Sequence, residues 1–145
     1  MILGLENIAV VAMLHLPVTN RQAPENAVVA SAAQIPSRWK PFQRCIVSRE
    51  SHGNPHARNR SSSAQGKYQY LAAWTRPLSY MVRDRLIAHG MPKSTARALQ
   101  VRLSHTPIAS WSERYQDVGF AATITIPGNW RHWYQAGSPC NGYAR

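Results

Sequence analysis

Between Ser37 and Pro55 the chain spells out one helix with both ends marked. Ser37 can act as an N-cap, and Trp39, Phe42, Cys45, Ile46 and then Arg49 and Glu50 recur at helical spacing. Pro41 falls in the first turn, where its missing N–H costs little. Gly53-Asn54-Pro55 must end the helix. Trp39, Phe42 and Ile46 form the core stripe, and Glu50, four residues after Ile46, projects from that same face. Any fold that buries this stripe must therefore carry a lone carboxyl at a helix end, beside a polar glycine loop.

The rest of the chain reads as mainly helical. Residues 54–67 are polar, with low strand propensity, and suit a loop or small irregular hairpin. Tyr68 to Trp74 is expected to start a second helix that Pro77 ends or kinks. Ser79 to His89 is amphipathic and closed by Gly90, and Ser94 can cap a helix from Thr95 to Leu103. Trp111 to Ala122 reads as another helix, broken before Pro127-Gly128. Thr123 to Ile126 alternates like a short strand, and the tail from Asn129 is aromatic and loop-like. The expectation is a lead-in over residues 1–36, linker-like from Thr19 to Pro36, and one domain over residues 37–145.

Length and charge bound the class. A chain of 145 residues supports a single core. Seventeen Lys and Arg against six Asp and Glu give a formal charge of +11, so an anionic partner is expected. The positive charge is scattered, and no zinc-finger, helix-turn-helix or RNA-recognition signature accompanies it. No specific nucleic-acid partner is expected.

Cys45 and Cys140 either stand as two unrelated buried thiols or pair. Pairing would close a loop of about 95 residues, worth about 4–5 kcal/mol in the chain-entropy model, and would imply an oxidising compartment. Ile8 to Val18 is apolar, long enough for a signal core and too short to span a bilayer. No Lys or Arg precedes it, Glu6 sits where positive charge belongs, and His15 interrupts it. Cleavage of this segment is left open, and no transmembrane segment is expected.

A carboxyl held against apolar side chains keeps its proton to higher pH, which is what a general acid needs. Glu50 has the right placement, provided Arg49 diverges from it by the ~100° that separates adjacent helical positions. Asp84 lies between Arg83 and Arg85 as a solvated ion-pair partner, and Glu113 and Asp117 look like surface groups. His52 and His56 stand four apart, but Gly53 and Pro55 forbid the helix that would align them on a metal, so no metal or other cofactor is expected.

The run Glu50-Ser51-His52-Gly53-Asn54-Pro55, with Ala57 and Asn59 and then Gly66-Lys67-Tyr68-Gln69, resembles the catalytic region of the lysozyme-like lytic transglycosylase superfamily. That group includes soluble lytic transglycosylases, goose-type lysozymes, resuscitation-promoting factors and phage muralytic domains. The resemblance is specific over residues 39–74. It implies a mainly α, lysozyme-like fold with a small irregular hairpin beside a substrate groove. It implies Glu50 as the single catalytic acid and Ser51 as the residue that fixes the glutamate or the loop. Gly66, Tyr68 and Gln69 would line the sugar groove, with Trp74 at a position where relatives carry tryptophan. Lys67 departs from the apolar residue usual there and would make the pocket edge more cationic. Gly128-Asn129-Trp130-Arg131-His132-Trp133 is loosely similar to a closing element of such domains.

The implied activity is cleavage of the β-1,4 bond between N-acetylmuramic acid and N-acetylglucosamine in peptidoglycan. The implied partners are glycan strands and anionic wall polymers, in a secreted, wall-associated or virion-associated setting. A catalytically silent wall-binding or virion structural protein with the same fold is the first alternative reading, and a basic nucleic-acid-binding protein, without any recognised module, is the second.

Overall fold

The computed structural model describes residues 19–144, with side chains described from residue 24. The apolar segment from Ile8 to Val18 lies outside the described residues. Five α-helices run in order: α1 (Thr19–Ala32), α2 (Lys40–Ser51), α3 (Thr75–Ala88), α4 (Lys93–Ser104) and α5 (Glu113–Ile124). Short 3₁₀ turns link them or follow them, two of them in the tail at Asn129–Trp133 and Pro139–Tyr143. Extended pairing among the described residues is limited to two isolated bridges, Arg58 with Gln65 and Gln65 with Tyr70. The architecture is mainly α, with a small irregular hairpin in the polar segment.

α2 stops where its terminal residues dictate, but Ser37 does not cap it: Trp39 precedes the helix and no side chain caps its start. A 3₁₀ turn at Ser37–Trp39 leads into it, Pro41 sits in its first turn, and Phe42 and Ile46 are fully buried. His52 ends it in the left-handed conformation, at φ 52°, and Gly53 follows at φ 85°. Two successive positive-φ residues reverse the chain away from the helix axis.

Three further expectations are corrected. Residues 19–32 are a helix packed on α3 and α5, with Val29 and Ala32 buried, so the packed unit extends well before residue 37. Arg85 donates to the carbonyls of Ala32 (2.5 Å) and Gln34 (2.8 Å), satisfying the chain end of α1. Tyr68 to Leu71 is not helical: Tyr68 and Tyr70 point into the core while Leu71 is exposed, and only Ala72–Trp74 makes a 3₁₀ turn before α3. Thr123 and Ile124 form the buried last turn of α5 rather than a strand. The Thr123 hydroxyl donates to the Gly119 carbonyl and accepts from Tyr70.

Cys45 and Cys140 are disulfide-bonded, with Cα atoms 5.5 Å apart, and this bond ties the tail across α2. The aromatic tail then packs over the core: Trp133 meets Phe42, Tyr70 and Phe120.

Candidate active site

The last turn of α2 and the hairpin meet through one side chain. Ser51, buried at the helix end, donates its hydroxyl to the Lys67 carbonyl at 2.7 Å. The same oxygen accepts from the Gly53 amide at 3.2 Å, so it also secures the reversal after the helix. Glu50 and the Gly66–Gln69 segment, separated by some fifteen residues, are thereby held at one junction.

Gly66 is demanded by two independent constraints. Its φ is 81°, and a Cβ there would stand 2.6 Å from Gln116 Oε1. Gln116, on α5 and only 1% exposed, accepts from the Lys67 amide at 2.7 Å. Its amide nitrogen donates to the carbonyls of Pro55 (2.9 Å) and Trp111 (3.1 Å). One glutamine thus fastens both ends of the hairpin to α5. Sequence reasoning missed it, although its helical spacing from Gly119, Phe120 and Thr123 marks it as inward-facing.

Tyr68 is fully buried and stacks on Phe120, with ring centroids 4.4 Å apart. Its hydroxyl donates to Asp117 Oδ1 at 2.7 Å and accepts from Gln43 at 2.8 Å. Burial, then the charge of Asp117, drives its ionisation far upward, so it remains a phenol. Gly66 is buried as well. The expectation that Gly66 and Tyr68 line a sugar groove is therefore corrected: they support the hairpin from beneath.

Lys67 does not leave the edge cationic, because its ammonium group bonds Glu113 Oε1 at 2.8 Å and Asp117 Oδ1 at 2.9 Å. Burial would lower its pKa, but the two carboxylates outweigh burial and the net shift is upward. Asp117 is accordingly no free surface group, whereas Glu113 is about half exposed. Asp84 is the exposed partner of Arg83.

Gln69 occupies left-handed backbone, at φ 51°, which costs a non-glycine residue about 1–2 kcal/mol. Its amide nitrogen donates to the Gly66 carbonyl at 2.9 Å, and the side chain stays partly exposed. Trp133 donates its indole N–H to the Tyr68 carbonyl at 2.8 Å, closing the tail onto the same segment. Trp74 packs edge-on to His132, 4.8 Å between centroids, and His132 also meets Tyr70 and Trp133. Burial among these rings lowers the pKa of His132. His56 is occupied structurally, bonding the Ala109 carbonyl through Nδ1 at 2.8 Å.

Glu50 itself is partly buried, its side chain 23% exposed. Arg49 does not diverge from it. The guanidinium turns back and donates through both Nε (2.8 Å) and Nη2 to Glu50 Oε1. Oε2 accepts no hydrogen bond from the described residues. Two open clefts flank α2, one of about 620 Å³ bordered by Gln43, Val47, Lys67 and Asp117, the other of about 700 Å³ bordered by Arg49, Cys140 and Tyr143. Glu50 lines neither.

No protein family, curated protein or solved structure matches this chain.

Proposed function

We propose that this chain cleaves the β-1,4 bond between N-acetylmuramic acid and N-acetylglucosamine in peptidoglycan, with Glu50 as its single general acid and base. The observation that carries the reading is the Ser51–Lys67 hydrogen bond. It joins the two separated pieces of sequence that resemble the lytic transglycosylases, with Glu50 partly exposed at their junction. Of the other described carboxylates, Asp84, Glu113 and Asp117 pair with Arg83 or Lys67, and Glu25 borders a cleft lined by Val28 and Met91 and not by Glu50. That favours a mechanism needing one protein carboxyl over the usual pair.

In this mechanism Glu50 gives its proton to the leaving glycosidic oxygen while the substrate's N-acetyl group stabilises the oxocarbenium-like centre. The resulting carboxylate then takes the proton of the C6 hydroxyl, and closure onto C1 leaves a 1,6-anhydro-muramic end. Attack by water instead gives a reducing end. Gln69 and Trp74, both partly exposed, are the remaining candidates for glycan contact. The net charge of +11 would draw the protein to anionic wall polymers, and the disulfide suits work outside a reducing cytosol.

A second reading, a silent wall-binding or virion structural protein, draws on Arg49, which already occupies one oxygen of Glu50. Incubating purified walls with the wild type and Glu50→Gln, with mass spectrometry of the soluble products, separates the two. Muropeptides released only by the wild type support catalysis, and their anhydro or reducing ends identify the reaction. Equal release by both proteins, or none by either, overturns it.

A further inference from the structure

Arg49 makes four hydrogen bonds within the chain. Besides the two to Glu50 Oε1, Nη1 donates to the Ser138 hydroxyl at 2.7 Å and Nη2 to the Trp133 carbonyl at 2.8 Å. The side chain is 23% exposed, so these bonds form largely out of water, where each counts for more. Ser138 is fixed in turn. It caps the 3₁₀ turn Pro139–Tyr143, accepting from the Cys140 amide at 3.3 Å, and Cys140 is bonded to Cys45. Cys45 and Arg49 lie one turn apart on α2, so the tail is clamped to one side of this helix at two successive levels.

We propose that Arg49 is the positioning residue for Glu50, and that its geometry is set by the tail through Ser138 and the Trp133 carbonyl. The role in turnover rests on the glycosidase reading above, while the positioning itself is a claim about side-chain order. A guanidinium can hold a carboxylate oxygen and two tail acceptors together because its donors form a rigid planar fork. A lysine ammonium, a single point with three donors, cannot span the same three partners. With Oε1 held this way, Oε2 is the oxygen left to exchange a proton with substrate.

Two measurements on the full chain test this. In ¹⁵N NMR, the Arg49 Nε–Hε group is expected to be as ordered as backbone in the wild type, and to become mobile in both Ser138→Ala and Glu50→Gln. Steady-state wall cleavage by Arg49→Ala should show kcat lower by roughly 10²-fold, the scale of a misplaced reacting group, with KM little changed. Arg49→Lys should not restore it, and Ser138→Ala should lose several-fold in kcat. An Arg49 signal unaffected by Ser138→Ala overturns the positioning claim even if Arg49→Ala does not fold. Full kcat in Arg49→Lys overturns the role in turnover. If the wild type cleaves no wall at all, the glycosidase reading fails, and the NMR result still decides whether Arg49 is held by the tail.

Discussion

The Ser51 hydroxyl and the Lys67 carbonyl lie 2.7 Å apart, and this bond links the last turn of the catalytic-candidate helix directly to the hairpin. Ser51→Ala would remove the donor and leave a carbonyl at a buried junction without its partner. Leaving such a group unsatisfied costs about 1–3 kcal/mol. The variant should unfold at lower denaturant concentration with an unchanged m-value, and should release muropeptides more slowly. Wild-type stability would show that water replaces the serine and that the junction does not depend on it.

Two glycines with similar positive φ should respond differently to alanine. Gly53 has φ 85° and open space where a Cβ would go, so Gly53→Ala carries only the left-handed penalty, about 1–2 kcal/mol. Gly66 has φ 81°, and its added Cβ must also displace Gln116, which fastens three backbone groups of the hairpin and the α5 lead-in. Gly66→Ala should therefore cost about 2–4 kcal/mol by equilibrium denaturation, clearly more than Gly53→Ala. Equal effects would mean that Gln116 yields freely.

The disulfide crosslinks positions 95 residues apart. Replacing both cysteines by alanine should cost about 4–5 kcal/mol in the chain-entropy model, mostly by freeing the unfolded chain. The expected signature is a lowered denaturation midpoint with far-UV circular dichroism retained under native conditions. A loss below about 1 kcal/mol would show that residual structure already restrains the unfolded chain without the crosslink.

How much of this was legible depends on where each signal is stored. α2 was readable because its proline, its apolar stripe and its glycine stop are all local. α1 was not: Pro24 and a polar composition conceal a helix whose buried face is mainly Val29 and Ala32, and its anchors, Arg85 and Arg114, lie far along the chain. From Tyr68 to Leu71 the apolar residues suggest a helix, and they outweigh the period-two pattern of Tyr68, Gln69 and Tyr70 that the structure follows. At the site, the link of Glu50 to the hairpin follows from short motifs, whereas the burial of Tyr68 depends on Asp117, Gln43 and Phe120 from other helices. The adjacent positions of Arg49 and Glu50 suggested divergence, but a long side chain anchored at Trp133 and Ser138 reaches back across that angle.

His132 supplies a pH dependence whose sign is fixed by its surroundings. It sits among Tyr70, Trp74 and Trp133, and burial lowers its folded-state pKa below the ordinary 6.5. Above pH ~6.5 neither the folded nor the unfolded state protonates it, so stability is independent of this group. As pH falls below that value the unfolded chain takes up the proton first, and the folded state loses stability until pH passes the lowered folded pKa. Denaturation midpoints measured from pH 8 to pH 5 should therefore decline below about pH 6.5 in the wild type. His132→Phe keeps an aromatic ring in the cluster and removes the titration, so part of that decline should disappear. An identical slope in the variant would assign the acid sensitivity to other groups.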